Sequence, residues 1–122
     1  MGITFDNASV GVTYASNTGT YTKIGNQVTV RGYLALSNKG SSTGGAALTG
    51  LPFTQSSSQN AYSTPTIWYN SVSFANIPEA LSALNTTKVN FYEITEAGIV
   101  SSLTNAEFAN NSEIIISYTY EV

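Results

Sequence analysis

Seven carboxylates, Asp6, Glu79, Glu93, Glu96, Glu107, Glu113 and Glu121, and four cations, Lys23, Arg31, Lys39 and Lys88, are the whole ionisable inventory apart from tyrosine. The 122 residues contain no Cys and no His, so thiolate nucleophiles, imidazole acid/base work and most zinc or haem ligation are excluded. Hydrolysis of a glycosidic bond by paired carboxylates would remain. Glu93 and Glu96 are near neighbours, but an odd separation sends them to opposite faces of a strand. No His exists to activate a serine nucleophile. The expectation is therefore no enzyme, no cofactor and no metal. Asp6-Asn7 and Asn110-Asn111-Ser112-Glu113 are the best oxygen clusters for calcium, and both are thin. Lys39-Gly40-Ser41-Ser42-Thr43-Gly44 has the lysine before the first glycine, whereas a phosphate loop carries it after the second, so an inter-strand loop is expected.

The aromatic side chains say more. Eight Tyr, five Phe and one Trp exceed what a single core needs. Tyr and Trp give wide, rigid contact area at small entropic cost, which suits stacking on sugars and protein interfaces alike. Tyr62 and Tyr69, with the amides of Asn60 and Asn70, are the candidates for glycan contact by ring stacking and hydrogen bonding. Trp68 is assigned to the core, because alternation groups it with Val72 and Phe74.

The elements that must position these groups are strands. From Gln27 to Ser37, Val28, Val30, Leu34 and Leu36 face one way, and Gln27, Thr29, Arg31, Tyr33 and Ser37 the other. Gly32 takes a side chain's place on the apolar face and marks a bend, bulge or close crossing. Glu113 to Val122 repeats the alternation, with Ile115 alone spoiling the polar face; a second layer or a neighbouring subunit could cover it. Weaker strands are expected at Val10–Ala15, Thr20–Ile24, Thr66–Phe74 and Lys88–Thr95, the last central or interfacial. Gly25-Asn26 fits a hairpin and Ser16-Asn17-Thr18-Gly19 another turn. Gln55 to Thr64 reads as a loop too polar to be core. Pro78 to Leu84 and Leu103 to Phe108 are the only helix-like pieces. Many short strands without helical crossovers predict an all-β fold, an antiparallel β-sandwich or jelly roll. Residues 1–7 read as a short stub or the remnant of an upstream shaft, and 8–122 as a single sandwich domain.

Four scattered cations cannot neutralise a run of phosphates, so nucleic acid is not an expected partner. No apolar run approaches the ~20 residues of a membrane span, and the N-terminus lacks the basic and apolar regions of a signal peptide. The neutral surface of hydroxyls and amides is the kind that hydrogen-bonds sugars.

Gly11-Val12-Thr13-Tyr14 and Gly19-Thr20-Tyr21-Thr22-Lys23-Ile24-Gly25-Asn26-Gln27-Val28 resemble the opening of C-terminal domains in tail fibres and tailspikes of tailed bacteriophages. Leu36-Ser37-Asn38 leading into Lys39, Gly40, Ser41, Ser42, Thr43 and Gly44, then Leu48-Thr49 and Gly50, Leu51, Pro52 and Phe53, is similar to the family's strand, loop and closure. Ile116 to Glu121 resembles its last strand, and Tyr62 to Asn111 matches only in general character. The resemblance implies a β-sandwich or jelly roll, a homotrimer about the fibre axis, and a bacterial cell-surface glycan as partner. It also implies a place in the virion tail, after synthesis in the host cytoplasm and release by lysis. Alternatives are a decoration or fibre-maturation module without ligand, and a free-standing carbohydrate-binding module.

Overall fold

The computed structural model describes residues 1–122. Nine strands run in chain order: β1 (Gly2–Phe5), β2 (Val12–Ile24), β3 (Gln27–Lys39), β4 (Ala46–Thr49), β5 (Thr66–Val72), β6 (Ile77–Ser82), β7 (Val89–Ile94), β8 (Val100–Ser102) and β9 (Phe108–Glu121). All pairings are antiparallel. One sheet has the order β1-β4-β7-β6, with β8 also paired to β7; the other is β2-β3-β9-β5. The two stack as a sandwich, as the alternation predicts.

The core is what alternation makes it. Val28, Val30, Leu34 and Leu36 of β3 meet Ile114, Ile116, Tyr118 and Tyr120 of β9 on one inner face. Ile3, Phe5, Leu48, Ala80, Val89 and Phe91 line the other. Phe108 joins them, edge-on to Phe5 at 5.4 Å between centroids. Burying each large side chain contributes roughly 1.5–3 kcal/mol, enough to fix register, because a one-residue slip would turn a whole row outward.

Residues 1–7 are not a stub outside the sandwich. Gly2 to Phe5 pair with β4, and Ile3 and Phe5 are fully buried. Met1 explains the gap left by Gly32: a Cβ on Gly32, or on its cross-strand partner Gly19, would collide with the Met1 methyl group. Gly32 marks a close approach, as its place on the apolar face implies.

Other expectations are corrected. Ser16 to Gly19 make no turn; β2 runs through them as one 13-residue strand, its only irregularity lying between Thr13 and Ser16. The unbroken ladder of β3 holds these turn-forming residues extended. Pro78 to Leu84 are not helical: Ile77 to Ser82 form β6, whose register with β7 runs from Ile77↔Ile94 to Ser82↔Val89. Pro78 is tolerated because β6 ends the sheet. Leu103 to Phe108 form a turn, not a helix. The Glu107 carboxylate accepts hydrogen bonds from the Thr104 amide (2.6 Å) and hydroxyl (2.9 Å), while Leu103 and Phe108 enter the core.

Trp68 is the largest reversal. Ser71 sits in the left-handed region at φ 57°, and the β5–β9 register slips between Asn70 and Val72. The bulge inverts parity, so counting back from Val72 puts the wrong residue inside. Ile67 and Tyr69 turn inward, and Trp68 is 53% exposed.

Candidate functional site

The resemblance motifs build architecture. Gly25 and Asn26 form the two-residue turn between Ile24 and Gln27, and the Lys23 ammonium donates to the Gly25 carbonyl at 2.7 Å. After β3, the Lys39 ammonium donates to the carbonyls of Asn105 and Phe108, both at 2.9 Å, tying the loop to the start of β9. Gly40 has φ 74°, and a Cβ there would run into the Val10 carbonyl. The Ser41 amide donates to Val10 O (3.0 Å), Val10 N to the Ser42 hydroxyl (2.9 Å) and the Gly44 amide to Asn105 Oδ1 (3.1 Å). Backbone groups that would cradle a phosphate are thus spent inside the fold, alongside half-exposed Ser42 and exposed Thr43. Past Gly50, Leu51 is buried and Pro52 exposed. Phe53 packs edge-on to Tyr21 at 5.3 Å, and its backbone exchanges hydrogen bonds with the Tyr120 hydroxyl.

Three of the seven carboxylates hold the fold. Glu107 closes the turn already described. Glu93 accepts from the amides of Ala75 (3.2 Å) and Asn76 (3.3 Å), while Glu96 lies in the exposed turn after β7. Glu113 accepts from the Tyr33 hydroxyl (3.2 Å) and the Asn70 amide (3.0 Å). The hydrogen bond to Glu113 is the first cause holding the Tyr33 hydroxyl above the ordinary tyrosine pKa.

Of the four candidates for glycan contact, the fold brings two together. Asn60 and Tyr62 line a trough of about 260 Å³ at the β2–β3 hairpin end, with Asn26, Gln27, Thr119 and Glu121. The short 3-10 turn at Gln59–Ala61 positions them by burying Ala61, which leaves Tyr62 53% exposed. Its polar lining and open ring are the chemistry that holds a sugar hydroxyl face. Asn70 sits apart on the outer face of the β2-β3-β9-β5 sheet, opposite Glu113. Six residues along β9 separate Glu113 from Thr119, about 20 Å of strand. Tyr69 points into the core, edge-on to Phe74 (5.9 Å) and Phe91 (6.0 Å), and its buried hydroxyl has no hydrogen-bond partner. Burial, then the Glu79 charge, holds that hydroxyl far above the ordinary tyrosine pKa.

Two features escape sequence reasoning. Gln55, expected in a loop too polar for core, is 3% exposed. Its amide donates to the carbonyls of Lys88 (2.7 Å), Ala83 (3.2 Å) and Thr86 (3.4 Å), and its oxygen accepts from the Tyr118 hydroxyl. Nothing local distinguishes it from the exposed polar residues around it. The second is an open recess of about 520 Å³ on the outer face of the same sheet, lined by Thr18, Thr20, Arg31, Tyr33, Ile115 and Ser117 over the backbone of Gly19 and Gly32. The exposed parity of Ile115 in the sequence was its only sign.

The class of protein defined here is an all-β, two-sheet antiparallel sandwich with solvent-facing polar–aromatic depressions. Among solved structures, the crystal structure of the Dettilon tailspike protein is similar, with a TM-score of 0.75 and 21% sequence identity. The match covers 98% of this chain and 22% of that one, so the chain spans about a fifth of the tailspike's length. The likeness establishes a shared fold. No family model matches the sequence, and no curated protein matches it. No helix is long and apolar enough to cross a membrane.

Proposed function

We propose that the chain is a non-catalytic attachment module of a phage tail fibre or tailspike, which trimerises about the fibre axis and binds a bacterial surface glycan. The observation that carries this reading is the near-complete superposition of the chain on one part of a tailspike. The hydroxyl- and amide-rich exterior and the Asn60–Tyr62 trough support the glycan part. Tyr62 supplies the stacking ring, and Asn60, Gln27 and Glu121 supply donors and acceptors for sugar hydroxyls. Asn70, bonded to Glu113, and Tyr69, turned inward, have no part in it. A virion-tail location follows from the same reading.

The test is whole-cell adsorption across a panel of bacterial surface glycans, with Tyr62→Ala and Asn60→Ala beside the unaltered chain. Both variants are expected to lose adsorption while keeping their melting temperature, since both residues are exposed. Undiminished adsorption by Tyr62→Ala would move the glycan site elsewhere. Failure of the unaltered chain to adsorb to any cell would leave a purely structural tail module.

A further inference from the structure

The outer face of the β2-β3-β9-β5 sheet carries a knob and a hole at one level. Cross-strand register aligns Thr18, Tyr33, Ile115 and Trp68 in a single row over all four strands. Trp68 stands on β5, at one edge of the sheet, and Thr18 on β2, at the other. The recess bounded by Thr18, Thr20, Arg31, Tyr33, Ile115 and Ser117 lies toward the β2 side. Its floor is the backbone of Gly19 and Gly32, paired across β2 and β3, whose Cβ positions face the opposite, inner side where Met1 packs. Ile115, 46% exposed, borders it.

We infer that this face turns toward a threefold axis and that Trp68 of each copy seats in the recess of the next; this rests on the trimer reading above. The occupant is a second copy of this chain for a geometric reason. A cyclic trimer needs a heterologous contact, two different patches that meet and close. Patches on opposite faces of a sandwich would stack copies without closing. Knob and hole here share one face, Trp68 on the edge strand β5 and the recess spanning β2, β3 and β9. Rotation about an axis parallel to the strands keeps every residue at its own level, so the β5 edge of one copy arrives beside the β2 edge of the next. Trp68 therefore arrives at the level of Thr18 and Tyr33. There Arg31 is exposed and can lie over the indole face, a cation–π contact strengthened when water is excluded. Large aromatic anchors with an Arg in a desolvated pocket are the usual centre of binding energy in an interface. Ile115, buried from three sides at once, would complete an apolar layer on the axis.

The absence of native cysteine makes the test direct. Thr20 and Thr66 lie one row along from Thr18 and Trp68, both exposed, and leave the knob intact. Within one chain they are three strand spacings apart, roughly 14 Å, too far for a disulfide. Thr20→Cys/Thr66→Cys is expected to oxidise to a covalent trimer on a non-reducing gel, while Ser57→Cys/Glu96→Cys is not. Trp68→Ala is expected to keep its far-ultraviolet dichroism and to raise the dissociation constant at least about 30-fold by light scattering. A trimer that neither cross-links through this pair nor weakens in Trp68→Ala overturns the inference and leaves the attachment reading standing. An unaltered chain monomeric at every concentration overturns both the inference and the trimer reading.

Discussion

Gln55 offers the sharpest test of how the sandwich is closed at its hairpin end. Its side chain bridges β9, through Tyr118, to the Ala83–Lys88 connection of the facing sheet. Gln55→Leu keeps the volume and removes every one of these bonds. Two amide hydrogens shared among three carbonyls, plus the bond from Tyr118, amount to about three hydrogen bonds at ~1 kcal/mol each. The Tyr118 hydroxyl, 1% exposed as a residue, is left buried without that partner at a further ~1–2 kcal/mol. The expected loss is about 4 kcal/mol, a large share of the 5–15 kcal/mol typical of a domain. Tyr118→Phe removes one bond and should cost ~1–2 kcal/mol. The double variant should cost less than the sum by ~1 kcal/mol or more, since the orphaned hydroxyl is gone. Urea unfolding at one fixed protein concentration, with unchanged slope, measures all three. A loss below ~1 kcal/mol for Gln55→Leu would refute the bridge as a structural element.

Tyr69→Phe removes a buried hydroxyl that bonds to nothing, so stability should be unchanged or rise by up to ~1 kcal/mol; a fall larger than that in urea unfolding would mean the hydroxyl has a partner. Ser71→Gly should stabilise by roughly 0.5–1 kcal/mol, because φ 57° suits glycine, and Ser71→Val should destabilise, both read by thermal melting. Lys39→Met loses charge-assisted bonds to Asn105 and Phe108 and should cost about 2–3 kcal/mol in the same assay. Burial raises the hydroxyl pKa of Tyr69, Tyr118 and Tyr120 in the folded chain. The unfolded chain then releases protons first, so stability is full below pH ~10 and falls as pH climbs through the raised values. Tyrosinate absorbance at 295 nm should appear for these three only with unfolding, and a reversible rise while the native dichroism persists would contradict it.

How far sequence reaches depends on whether a signal is local. The alternation in Gln27–Ser37 and Glu113–Val122 was legible because every second residue of a half-buried strand must be apolar, and in β3 and the end of β9 only Ala35, buried on the outer row, departs from that period. The Gly25-Asn26 hairpin was legible because two residues suffice to make it. The parity of β5 was not: one bulge at Ser71 exchanged Trp68 for Tyr69, and any serine could equally have stayed in the ladder. Glu79-Ala80-Leu81 has good helical propensity, and pairing with β7 overrode it. The candidate sugar contacts failed to assemble as a group for a related reason, since two of the four depended on that parity and on distance along β9.

Composition and period-2 patterning by themselves determined an all-β chain with one hydrophobic core, without imidazole or thiol, and its principal hairpin. These are properties of neighbours along the chain, and burial need only choose a face. Tertiary structure alone decided which aromatic faces water, which amide closes the core, and where a recess opens beside an exposed indole. Each of these depends on residues from distant segments meeting at one register, and a single inserted residue in one strand is enough to change the answer.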